Sequence, residues 1–122
     1  VLSFSVRTRQ WTRYECAGTS PSPRMNHAAC RVLGSMYVFG GNSNDDSLNH
    51  LWEYALDART WMQMVSAWGS APSPHEGHSL IPIGNQLVVF GGYDDASGYD
   101  DKTNSFTTAL HCFDLQTRRW SD

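Results

Sequence analysis

Three kinds of side chain in this 122-residue sequence could do chemistry, and their spacing decides which chemistry is open to them. A carboxylate-rich run, Asp94-Asp95-Ala96-Ser97-Gly98-Tyr99-Asp100-Asp101, is followed by Lys102. Clustered oxygens suggest calcium, but the run lacks the Asp-x-Asp-x-Asp-Gly order and closing glutamate of a calcium loop. Imidazoles recur: His27 and His78 stand 51 positions apart, each at the end of a proline-led segment. Recurrence at one position points to a structural task, such as bonding a neighbouring loop, rather than to catalysis. Cys16, Cys30 and Cys112 are odd in number and widely spaced, with no Cys-x-x-Cys pair and no zinc-ligand pattern. The sequence holds no glycine-rich phosphate loop, nucleophile elbow or His-Glu-x-x-His pattern. No catalytic residue, metal site or cofactor is therefore expected.

The elements that would position these residues are short and repeated. Met36-Tyr37-Val38-Phe39-Gly40-Gly41 returns as Leu87-Val88-Val89-Phe90-Gly91-Gly92, a β-branched and aromatic burst stopped by two glycines. Ser20-Pro21-Ser22-Pro23-Arg24-Met25-Asn26-His27 returns as Ala71-Pro72-Ser73-Pro74-His75-Glu76-Gly77-His78. Leu51-Trp52-Glu53-Tyr54-Ala55-Leu56-Asp57-Ala58-Arg59-Thr60-Trp61 returns as residues 110–120, and the opening Val1 to Trp11 is the same element again. Such self-similarity marks a repeat architecture.

Each unit reads as four strands. Strand A covers His27–Leu33 or Gly77–Ile83, and a tight turn follows at Gly34-Ser35 or Gly84-Asn85. Strand B covers Met36–Phe39 or Gln86–Phe90. Strand C covers Leu51–Leu56 or Ala109–Leu115, with apolar residues at period two. Strand D starts at Trp61 and runs to Ser66. Pro82 is compatible with strand A only if A is an edge. The predicted fold class is all-β, built from four-stranded antiparallel meanders. Residues 1–18 supply strands C and D of a first unit, 19–68 a complete second, and 69–122 strands A to C and the start of D of a third.

Composition fits a globular chain: 40% hydrophobic, 17% charged and 12% aromatic. A net charge of −3 leaves no basic footprint for nucleic acid. No apolar run approaches the roughly 20 residues of a membrane span. The start of the chain lacks the pattern of a signal peptide. Unpaired cysteines then suggest a reducing, cytoplasmic setting.

Pro-Arg-x-x-His, the run ending Phe-Gly-Gly, Leu-Trp-x-Tyr and the closing Trp resemble the kelch repeat over nearly the whole chain. The resemblance implies a β-propeller whose four-stranded blades surround a central channel. About two and a half kelch-type blades are present, so the sequence reads as part of a longer propeller. Alone it would leave apolar sheet faces open to self-association. Head-to-tail closure is disfavoured, because Val1–Val6 and Ala109–Leu115 are both strand C.

In such a meander the B–C and D–A loops share one face of the disc. That face is where loop length varies: ten positions from Gly41 to Leu51, but eighteen from Gly92 to Leu110. Variable loops on a stiff scaffold are the expected partner-binding surface. At the starts of the A strands it would present Arg24, Asn26, His75 and Glu76. The shorter B–C loop adds Asn42, Asn44, Asp45 and Asp46. The longer one adds Tyr93, Asp94, Asp95, Tyr99, Asp100, Asp101 and Lys102. Trp68, just before a D–A loop, is a candidate interface anchor. Trp11, Trp61 and Trp120 read as packing, whereas Trp52, matched by His111, could be exposed. The carboxylate surplus favours a basic protein or peptide partner.

Kelch resemblance implies a non-enzymatic scaffold, adaptor or substrate receptor. The alternatives it implies are a metal-dependent kelch enzyme, such as a copper oxidase using a Cys–Tyr crosslink, or a purely structural propeller.

Overall fold

The computed structural model describes residues 1–44, 46–66, 69, 71–94 and 105–122. Among these the regular structure is entirely β. In chain order the strands are β1 (Leu2–Ser5), β2 (Gln10–Arg13), β3 (Ala28–Val32), β4 (Ser35–Phe39), β5 (Asn42–Ser43), β6 (Asp46–Ser47) and β7 (Leu51–Ala55). They continue as β8 (Thr60–Gln63), β9 (His75–Glu76), β10 (Ser79–Ile83), β11 (Gln86–Phe90), β12 (Tyr93–Asp94), β13 (Ser105–Phe106), β14 (Leu110–Asp114) and β15 (Arg119–Ser121). Two four-stranded antiparallel sheets, ordered β3-β4-β7-β8 and β10-β11-β14-β15, form the body, preceded by the β1-β2 hairpin. Small sheets β5-β6 and β13-β12-β9 decorate the loops.

Local chemistry explains the strand ends. Val32 pairs with Ser35 and Ile83 with Gln86, leaving Leu33-Gly34 and Gly84-Asn85 as two-residue turns. Ser35 thus belongs to a strand, which moves the first turn one residue back from its expected place. Pro82 lies in β10, whose ladder runs to β11 alone, so the missing N–H interrupts no central pairing. Between β14 and β15, Asp114 Oδ1 accepts hydrogen bonds from Gln116 N at 3.0 Å and Thr117 N at 2.6 Å. Arg9, Arg59 and Arg118, each two residues before a tryptophan, share a φ of 54°.

The tryptophans carry the third dimension. In register, Phe4 faces Trp11, Tyr54 faces Trp61 and Phe113 faces Trp120, with ring centroids 5.1, 4.9 and 5.0 Å apart. Trp120 also meets Phe39 of the preceding sheet at 5.3 Å. That contact sits in the core between the sheets, with Tyr37, Leu51 and Met64 on one side and Leu80, Leu87, Val89 and Phe113 on the other. Burial therefore depends on having a neighbouring sheet. Trp120 is 7% exposed and Trp11 67%; Phe39 is 0% exposed and Phe90, its counterpart in the next repeat, 50%. Fully burying such a side chain contributes about 1.5–3 kcal/mol, so sheet-on-sheet stacking adds stability that an unaccompanied sheet lacks.

Candidate functional site

The B–C loop of the first four-stranded sheet meets the segment leading into the second. Gly41 N donates to His75 O at 2.8 Å, His75 N to Leu48 O at 3.0 Å, and Gly77 N to Asn26 O at 2.9 Å. Side chains add to the seam: Asn26 Nδ2 donates to Glu76 Oε2 at 3.0 Å and Asn49 Nδ2 to Pro72 O at 3.1 Å. Glycines make the approach possible. Gly40 and Gly41 have φ of 64° and 88°, and a Cβ on either would come within 2.6 Å of a carbonyl oxygen, His75 O or Met25 O. The loops are thus a hydrogen-bonded platform.

A cleft of about 310 Å3 opens on this platform, lined by Pro23, Arg24, Met25, Asn42, Ser43 and Asn44. Met25 N donates to Asn42 O and Asn42 N to Met25 O, both at 2.9 Å, which holds its two walls together. Arg24 is half-buried: Nη1 donates to Gly40 O at 3.0 Å and Nε to Ser22 O at 3.2 Å. Burial pulls its pKa below the ordinary guanidinium value without removing the charge. Among the described residues no carboxylate pairs with it. Arg24 is both a brace for the glycine turn and a cation beside the cleft.

The other expected contact residues divide. Asn26, Asn44 and Asp46 are exposed, and Asn42, Glu76 and Tyr93 are half-buried. Tyr93 stands edge-on to Phe106 at 5.9 Å. Asp94 pairs with His75 through the β12–β9 ladder. His75 corrects its expectation: it is 1% exposed, with Nδ1 bonded to Ser73 O at 2.5 Å, so its ring braces the fold and is withdrawn from the surface. Trp52 is likewise buried, at 6% exposure. Asp45, Trp68, Asp95, Tyr99, Asp100, Asp101 and Lys102 lie outside the described residues.

Sequence reasoning missed the grouping of His75, His78 and His111. The ring centroids of His75 lie 6.2 Å from those of His78 and 5.9 Å from those of His111. The only sequence signal was that His111 replaces Trp52 in the following repeat. Among the described residues, no three His, Cys, Asp or Glu side chains converge as metal ligands. Cys16 Sγ stands 3.7 Å from the Tyr54 hydroxyl.

Four-stranded antiparallel meanders stacked face to face, the first stapled by Trp120 of the second, are blades of a β-propeller. The model of the KLHDC2/KLHL20/DRC7 Kelch-repeats domain matches residues 1–122, and the chain belongs to the kelch-repeat family. It is 32% identical over 126 residues to Kelch domain-containing protein 3 of Rattus norvegicus, covering all of this chain and 32% of that protein. It is 33% identical over 104 residues to Rab9 effector protein with kelch motifs of Mus musculus, covering 80% of this chain and 27% of that protein. Tip elongation aberrant protein 1 of Schizosaccharomyces pombe is 35% identical over 123 residues, covering 98% of this chain and 10% of that protein. The chain thus spans about a third of the length of the first of these relatives.

Proposed function

We propose that this chain is a non-enzymatic protein-recognition module that grips a peptide or protein through its B–C and D–A loop face. The observation that carries the reading is the braced cleft at Arg24, Asn42 and Asn44, where two backbone carbonyls hold the Arg24 side chain and paired hydrogen bonds hold the Met25 and Asn42 main chains. Preorganisation of this kind lowers the ordering cost of binding. A relative named as an effector of Rab9 supports a protein-recognition role for such repeats. The carboxylates of residues 94–101 add electrostatic attraction for a basic stretch of the partner. The free thiols of Cys16, Cys30 and Cys112 support a reducing, cytoplasmic setting.

The test is selection of binders from a displayed peptide library on the full-length protein. Met25 lines the cleft and is 63% exposed, while Leu33 is 89% exposed on an A–B turn, at the opposite ends of the strands. Met25→Glu should weaken the selected peptides at least about tenfold, roughly the 1.4 kcal/mol of one lost contact; Leu33→Glu should leave them unchanged. Equal loss from both variants, or from neither, removes the loop face as the binding surface. Asp100→Lys with Asp101→Lys should weaken basic peptides selectively, and unchanged affinity would refute the electrostatic component.

A further inference from the structure

Among the described residues, His75 Nε2 and both ring nitrogens of the adjacent His78 are buried without a well-formed hydrogen bond, the Phe39 carbonyl being the acceptor that bears on the His78 ring. His75 is 1% and His78 8% exposed, and their rings stand edge to face at 82°. Both press on the preceding repeat. The His78 ring meets Phe39 at 5.3 Å, and its Cε1 would lie 2.7 Å from a Cβ placed on Gly40. The His75 backbone supplies two of the hydrogen bonds that close the seam, to Gly41 N and Leu48 O.

We propose that His78, packed edge to face against His75, is a pH-operated latch between consecutive repeats, closed while its ring is neutral and released when it takes up a proton. A buried imidazolium lacks the water that would solvate it, and any second positive charge alongside would add repulsion. Two of the groups facing His78 favour its neutral form and one opposes it. His75 stands on its own segment and His27 at the start of the preceding strand A, while the Phe39 carbonyl opposes them. Behind His75 lies His111, whose Nδ1 is held by Asp122 Oδ1 at 2.6 Å. Glu76 is engaged by Asn26, and Arg24 places a cation on the carbonyl of the same Gly40. Asp46, on the same B–C loop, is exposed.

Burial first, and then His75 and His27, lower the His78 pKa to about 4. An opened segment would titrate near the ordinary value of about 6.5. Opening therefore binds a proton: the latch is fully closed above about pH 6.5 and weakens progressively as pH falls toward about 4. The His78 ring fills the space a side chain on Gly40 would need, and the Gly40 carbonyl accepts from Arg24, so release reaches the cleft through a single residue.

Amide hydrogen exchange on the full-length protein, normalised to the intrinsic rate at each pH, tests the latch without any ligand. Protection of residues 40–44, 46–50 and 72–78 should fall about twentyfold between about pH 7 and about pH 5, while β10 and β11 hold theirs. His78→Phe, which keeps a ring against Gly40, should abolish that pH response. Wild-type protection that is the same at both pH values, or a full response retained in His78→Phe, overturns the proposal. Should the variant not fold, histidine-ring NMR of the wild type decides: titration of His78 well below the ordinary imidazole range supports the latch, and titration near about 6.5 overturns it.

Discussion

Arg24 and His75 hold the same place in consecutive repeats, and each uses a side-chain nitrogen to bond the carbonyl of the serine two residues before it. The partners are Ser22 O for Arg24 Nε at 3.2 Å and Ser73 O for His75 Nδ1 at 2.5 Å. Two unlike residues thus perform one bracing task. Arg24 does more, because its second arm also reaches Gly40 O.

Arg24→Ala should then cost about 1.5–3 kcal/mol of stability, the range for a lost hydrogen bond involving a charged group. Arg24→His should recover part of that loss by keeping the serine contact. Urea midpoints of the full-length variants measure both. Unchanged stability in Arg24→Ala would reduce the residue to a partner contact only.

Gly40→Ala and Gly41→Ala should each cost about 2–4 kcal/mol, since a left-handed backbone and a carbonyl collision penalise the new methyl together. Gly34→Ala should be close to neutral, because nothing lies within 4 Å of its Cβ position. The same denaturation series reads all three. A mild Gly40 or Gly41 variant would mean that the loop seam yields easily.

Phe39→Ala should cost about 3–5 kcal/mol, the usual loss for a fully buried phenylalanine. Phe90 and Leu110 repeat the positions of Phe39 and Leu51, yet are 50% and 47% exposed instead of 0% and 2%. If a following repeat stacks its tryptophan there in the full-length protein, Phe90→Ala will cost as much as Phe39→Ala. A much smaller loss, read from thermal midpoints, would mean that this face stays open.

Asp114 caps the turn into β15, and hydrogen bonds from Thr117, backbone before hydroxyl, hold its pKa below the ordinary carboxylate value. A carboxylate lowered by folding stabilises above its unfolded pKa of about 3.9 and loses that contribution as pH falls through the lowered value. Asp114→Asn should therefore flatten the acid limb of the stability profile below about pH 4. An identical acid limb in the variant would show that the cap contributes nothing there.

Much of this architecture was written in local chemistry. The Tyr37-Val38-Phe39 and Val88-Val89-Phe90 bursts, the glycine pairs and the period-two C strands announced strands and stops, because backbone preference and alternation act over a few residues. The aromatic pairs Tyr54–Trp61 and Phe113–Trp120 follow from the same register. Arg24, Asn42 and Asn44 were legible as neighbours on one loop face, since an antiparallel meander brings those loops to one end.

Other properties belong to stacking alone. Trp11 and Trp120 are the same residue in the same motif, yet one is bare and the other buried, because only Trp120 has a Phe39 before it. His75 read as a surface residue in the sequence and became a brace once the Gly40–Leu48 loop closed over it. His111 joined His75 across a sheet that no local pattern could register. The sequence determined the strands and their order; burial and proximity were decided by which sheet came to rest against which, since both depend on atoms far away along the chain.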